Sequence, residues 1–200
     1  MMSEAFLITG RPGIGKTTLV KRIVEKLPLR AGGFYTEELR EGGSRIGFKV
    51  RTLDGKEAVL AKLGLPSRYN VGRYGVDLQS FEAIGVEALR RAIQDCQVIV
   101  VDEIGNMELC SKAFMEVLEA ALQSEKLILG TILERPHPWA DRLKARSGVV
   151  VLHLTEKNRQ AIEAELLKRF GTEQRGSERT ALDLPALPFQ GALGAEDFLG

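Results

Sequence analysis

Gly10, Gly15, Lys16 and Thr17 stand in GRPGIGKT, residues 10–17, with the spacing G-x-x-x-x-G-K-[ST]. These types at these distances suit a phosphate cradle. Glycines let successive N–H groups turn inward with no Cβ in the way. A helix that starts at the loop adds the partial positive charge of its N-terminus. Lys16 can reach β and γ phosphates, and the Thr17 hydroxyl can ligate Mg²⁺.

A second constellation lies in VIVVDEIG, residues 98–105. Four apolar residues run into Asp102 and Glu103 at the C-terminal end of an expected strand, where open α/β sheets bind ligands. Asp102 is placed to hold Mg²⁺ through a water. Glu103 beside it can accept a proton from an attacking water or orient that water. Taken alone, the Asp-Glu pair also reads as a simple strand-end cap. Together with the glycine loop it reads as the other half of a site for Mg²⁺ and a nucleoside triphosphate, with Lys16 and Glu103 as the catalytic pair. Thr131, in LILGTIL, reads either as a γ-phosphate or water contact, or as a hydroxyl bonded to backbone. Arg11, Arg68, Arg73, Arg135 and Arg159 are candidates to stabilise transition-state charge, and the sequence does not choose among them.

These residues need elements to hold them. AFLIT, residues 5–9, reads as a buried strand directly before the glycine loop. TTLVKRIVEKL after it repeats Leu19, Ile23 and Leu27 every four residues and predicts a helix ending at Pro28. Strand-like runs at about 33–39, 45–52 and 57–61, parted by EGG and LDG, predict an antiparallel meander inserted at about 30–65. Residues 66–79 read as a loop. Helices are expected at 80–94, with Ser80 as N-cap, and at 111–123, 138–146 and 155–170, the last capped by Thr155. Strands are expected at 98–101, 126–133 and 149–154. This alternation implies a parallel sheet with helices on both sides. Residues 171–200 lose all periodicity and read as a tail, partly disordered or docked, behind a single domain of 1–170.

The composition narrows the class. Twenty-eight Lys and Arg against 27 Asp and Glu leave a net charge of +1, which argues against bulk nucleic-acid binding. Cys96 and Cys110 form no metal or redox spacing and read as reduced thiols. His137 and His153 have no ligand cluster around them and read as structural or surface residues. The opening MMSEAFLITG lacks a basic region, and no run approaches the roughly 20 apolar residues of a membrane span. A cytoplasmic protein, monomeric and without membrane contact, is the expectation.

Six stretches carry a closer likeness: GRPGIGKTTL, GGFYTEELREGGSRIGFKV, RYNVGRYGVDLQSFE, VDEIGNMEL, LILGTI and LTEKNR. In order and spacing the chain resembles the nucleoside-triphosphatase family of thermophiles, which has a human cancer-related member. The likeness runs from Ala5 to Phe170. Its specific parts are GFYTEE-R-GG-RIGF and DEIG-MEL, which no generic phosphate loop requires. The resemblance implies a three-layer α/β P-loop NTPase fold with a mainly parallel central sheet, helices on both faces, a small antiparallel insertion and an added catalytic glutamate. It implies Mg²⁺-dependent hydrolysis of ATP, GTP, CTP, UTP and TTP to diphosphate and phosphate with loose base preference. It also implies that Gly10, Arg11, Pro12, Gly13, Ile14, Gly15, Lys16 and Thr17 bind phosphate. Asp102, Glu103, Ile104, Gly105, Asn106, Met107, Glu108 and Leu109 would form a second nucleotide-contacting stretch.

Within these pieces, Phe34 and Tyr35 read as base-stacking residues or as core aromatics of the inserted sheet. Glu37 and Glu38 read as supporting groups near the site or as surface charges, and Asn158 as a base contact or a helix cap. Two other functions share the same cradle. A nucleotide or small-molecule kinase would use 66–79 as an arginine-bearing lid. A nucleotide-controlled binding module for RNA or protein would use the meander as its surface.

Overall fold

The structure, a computed structural model, describes residues 4–172. The expected C-terminal tail lies outside the described residues beyond Thr172. β1 (Ala5–Thr9) is buried along its whole length, as an unalternating apolar run requires when both faces of a sheet are covered. α1 (Lys16–Lys26) follows Gly15, whose φ is +91°, and the backbone turns extended at Leu27, before Pro28.

The chain then builds β2 (Ala31–Glu41), β3 (Ser44–Thr52) and β4 (Glu57–Leu63), joined by tight turns at the glycines. Residues 66–79, expected as a loop, contain the short hairpin β5 (Asn70–Val71) and β6 (Tyr74–Val76). The pairing of β6 with β4 supplies hydrogen bonds that these few residues could not organise alone. The next helix starts earlier than expected. Asp77, and not Ser80, is the N-cap: its side chain accepts from the N–H of Ser80. α2 (Leu78–Phe81) passes through a π-helical segment (Glu82–Val86) into α3 (Glu87–Asp95).

β7 (Val98–Ile104), α4 (Lys112–Gln123), β8 (Leu127–Ile132), α5 (Pro138–Lys144), β9 (Val149–His153) and α6 (Arg159–Thr172) complete the alternation. Ser111 caps α4 by accepting from the N–H of Phe114. His137 caps α5 through its ring nitrogen, a structural role. His153 reaches Glu134 at 2.9 Å.

Among the described residues the nine strands form one sheet in the order β5-β6-β4-β3-β2-β7-β8-β1-β9. β2 joins its two halves. Residues 31–35 pair parallel with β7, and residues 34–41 pair antiparallel with β3. The antiparallel strands therefore extend the parallel sheet edge to edge and form no separate layer. One face is closed by α3, α4 and α5 over a cluster in which Phe34 meets Phe81 edge-on at 5.7 Å and Phe114 at 6.2 Å. The other is closed by α1 and α6, with Phe6 of β1 edge-on to Phe170 at 5.5 Å. Burying these two apolar layers is what holds the C-terminal strand ends in register.

Candidate active site

The C-terminal ends of β1, β7 and β8 open onto the glycine loop. Gly10 has φ +138°, and a Cβ there would stand 2.9 Å from the Leu154 carbonyl oxygen, so only glycine lets the loop pass this close to the end of β9. Arg159, at the start of α6, donates to the carbonyl oxygens of Ile14 at 2.5 Å and Gly15 at 3.3 Å. These bonds tie two loop carbonyls to α6, and the Ile14 N–H closes the loop on the Arg11 carbonyl oxygen at 3.3 Å. Lys16 Nζ is 2.9 Å from the Gly10 carbonyl oxygen, folded back along the cradle.

Asp102 is fully buried. Its Oδ1 accepts from Thr131 Oγ1 at 2.6 Å, and the Thr17 hydroxyl lies close enough to its carboxylate to favour the charged form. Among the described residues Asp102 Oδ2 is buried without a hydrogen-bond partner. Burial raises its pKa to about 6, against the pull of Thr131 and Thr17. Next to it, Glu103 is half-buried, and burial also raises its pKa while Lys16 opposes. Among the described residues no hydrogen bond reaches the Glu103 carboxylate. The peptide between Asp102 and Glu103 is cis.

Two oxygen donors, Thr17 and Asp102, face one another beneath the loop, with one carboxylate oxygen orphaned in a buried setting. That donor set suits Mg²⁺, which prefers oxygen and is commonly held by one or two carboxylates with waters and phosphate oxygens. Among the described residues no group of three or more His, Cys, Asp or Glu forms an all-protein metal cage.

The rest of the 102–109 stretch divides. Ile104 and Leu109 pack into the core, and Glu108 is 3% exposed. Asn106 is exposed and Met107 half-buried. Glu108 receives the Thr36 hydroxyl at 3.0 Å, and burial with Glu103 nearby raises its pKa to about 8.

Other candidates sort by position. Thr131 sits on Asp102 and not on backbone. Phe34 is a core aromatic, whereas Tyr35 is half-buried under Lys21, 5.0 Å from its ring. Glu37 pairs with Lys21 at 2.5 Å, and Glu38 with Arg40 and Arg45. Asn158 caps: its side chain accepts from the Thr155 N–H at 2.8 Å and donates to the His153 carbonyl. Thr155 accepts in return from the Asn158 N–H, and the regular helix begins one residue later, at Arg159. Arg11 is exposed and pairs with Glu156 at 2.5 Å. Arg135 is exposed just beyond β8, at the same sheet end as Asp102. Arg73 lies over Tyr74 on β6, four strand positions from β7. Sequence reasoning missed Thr36 altogether and could not assign Arg159 to the loop. A polar residue in FYTEE was the one available signal for Thr36.

A strand, a glycine loop and a helix facing an Asp-Glu strand end define a P-loop α/β nucleotide-binding protein. Known proteins narrow this further. A family profile described as NTPase matches residues 5–167. Nucleoside-triphosphatase THEP1 of Thermotoga maritima is 53% identical over 161 residues, covering 80% of this chain and 92% of the relative. The human cancer-related nucleoside-triphosphatase is 39% identical over 184 residues, covering 83% and 96%. The crystal structure of THEP1 from Aquifex aeolicus superposes with a TM-score of 0.75 at 38% identity, covering 83% of this chain and 98% of that one. The chain belongs to this NTPase family and has its three-layer P-loop fold.

Proposed function

We propose that the protein hydrolyses nucleoside 5′-triphosphates, ATP, GTP, CTP, UTP and TTP, to the diphosphate and phosphate with Mg²⁺. Residues 1–170 form the catalytic domain, acting as a cytoplasmic monomer. The observation that carries this reading is the Glu103 carboxylate, which no hydrogen bond among the described residues reaches, next in the chain to Asp102 and its orphaned oxygen. A base that is unpaired in the protein is available to a water.

Each residue then has a role. The loop N–H groups and Lys16 hold the β and γ phosphates, and Arg159 keeps the loop carbonyls turned away. Thr17 and Asp102 hold Mg²⁺, which when bound neutralises charge on the phosphate oxygens. Glu103 orients the attacking water and takes its proton. Loose base preference follows from the side chains that are already engaged. Phe34 is in the core, and the Asn158 amide is tied to backbone on both sides.

A cleft of about 400 Å³ lined by Lys21, Tyr35, Glu37 and Arg51 gives the kinase reading its own support, since Tyr35 stands in register with Asp102. Phosphate release from ATP, GTP, CTP and UTP, with Mg²⁺ or with EDTA, decides between them when run beside Glu103→Gln. Release from all four that needs Mg²⁺ and dies in the variant supports hydrolysis. Binding without release in either protein overturns it, and diphosphate formed only with an added hydroxyl acceptor, which takes up the phosphoryl group so that no free phosphate appears, favours the kinase.

A further inference from the structure

Among the described residues no hydrogen bond aims the Glu103 carboxylate, so its direction depends on its backbone. Within β7 the ladder pairing lapses at this residue. The ladder between β7 and β2 ends at Tyr35 and Asp102, and the ladder with β8 is interrupted between Val101 and Ile104. The Glu103 N–H therefore has no strand carbonyl to meet. It donates to the Thr36 hydroxyl at 3.3 Å.

Thr36 has one hydroxyl proton, and it is spent on Glu108 Oε1 at 3.0 Å. This donation turns the oxygen's lone pairs toward the Glu103 N–H and gives the chain of bonds one direction. Glu108 is itself pinned. It opens the 3-10 turn Glu108–Cys110, and its carboxyl accepts from its own backbone N–H. A Cβ on Gly105 would lie 2.9 Å from Glu108 Oε2, so the turn between the two acids closes tightly around this carboxyl. Among the described residues no cation pairs with Glu108. A buried acid without a cation costs stability that an apolar residue of similar size would not. Local packing alone gives no reason for a carboxyl there.

We infer that Thr36 and Glu108 are positioning residues for Glu103: together they fix the backbone from which its carboxylate reaches the site. The inference rests on the reading of Glu103 as the base. Displacements of about 1 Å in a catalytic group cost on the order of 10²-fold in rate, so the bond matters to turnover more than to binding.

The test is steady-state hydrolysis of ATP by the full chain in four forms: Thr36→Val, Thr36→Ser, Glu103→Gln, and Glu103→Gln with Thr36→Val. Valine keeps the shape of threonine and removes both bonds. Its kcat is expected to fall about 10–100-fold with KM within about twofold of the parent, and serine to recover most of kcat. In the Glu103→Gln background Thr36→Val adds no further loss, because the group it aims is already gone. An unchanged kcat in Thr36→Val, a loss carried in KM, or a loss that persists in full on top of Glu103→Gln overturns the inference. A dead Glu103→Gln beside a fully active Thr36→Val sinks this inference alone. A fully active Glu103→Gln removes the base itself. Urea unfolding of Thr36→Val with an unchanged midpoint shows that turnover was not lost with the fold.

Discussion

Arg159 donates to the carbonyl oxygen of Ile14 at 2.5 Å, joining the first turn of α6 to the phosphate loop across 145 residues of chain. The same guanidinium occupies the space beside Gly15, where a Cβ would stand 2.7 Å from Nη1. The loop therefore takes its shape from the C-terminal helix as much as from its own glycines.

Replacing Arg159 by Met keeps much of its length and removes the donors. Nucleotide affinity is expected to fall about tenfold, as two charge-assisted hydrogen bonds to the loop are lost. Isothermal titration with a non-hydrolysable triphosphate measures it. Unaltered affinity would show that the loop holds its shape without Arg159.

Lys16→Ala removes the ammonium that rests on Gly10 and would turn to the β and γ phosphates. Triphosphate binding should weaken by at least tenfold while diphosphate binding weakens less. A parallel loss for both would place Lys16 away from the γ phosphate.

Thr131→Val leaves Asp102 Oδ1 buried with one donor fewer. The Asp102 pKa should move further up from its already raised value, so at neutral pH less of it is ionised. The Mg²⁺ concentration giving half-maximal activity should rise about tenfold. Thr131→Ser should return it to near the parent value. An unmoved Mg²⁺ requirement in Thr131→Val separates Thr131 from the metal site.

Glu108 makes stability fall as pH rises. Its folded pKa is about 8 against an ordinary 4.5, raised first by burial and then by Glu103 and Asp102 nearby, against its hydrogen bonds to its own N–H and to Thr36. The folded state therefore keeps a proton that the unfolded chain releases. The contribution is complete below about pH 4.5 and is lost progressively up to about pH 8. Glu108→Gln cannot titrate, so its stability relative to the parent should improve by on the order of 1–3 kcal/mol between pH 5 and pH 8. Urea midpoints at the two pH values test this, and equal slopes in both proteins would count against it.

The local chemistry was written in consecutive residues. GRPGIGKT, the strand before it and the helix after it lie within one short stretch, and the apolar run ending in Asp102 and Glu103 lies in another. Periodicity located α1 and α4 because each buries a face set by its own side-chain spacing, and apolar runs located β7 and β8, which are covered on both faces. Tertiary structure decided what depends on distant partners. β5 and β6 exist because β4 offers them an edge. Asp77 took the cap from Ser80 where the chain turns off the sheet. Phe34 went to the core and Tyr35 to the opposite face because adjacent strand residues point to opposite sides, and only the register of β2 against β7 says which side is which. The Thr36 hydroxyl meets the Glu103 N–H 67 positions away, and Arg159 meets the loop from the other end of the domain. No window of sequence holds both partners of either bond, so the residues that could bind phosphate were legible and the residues that hold them in place were not.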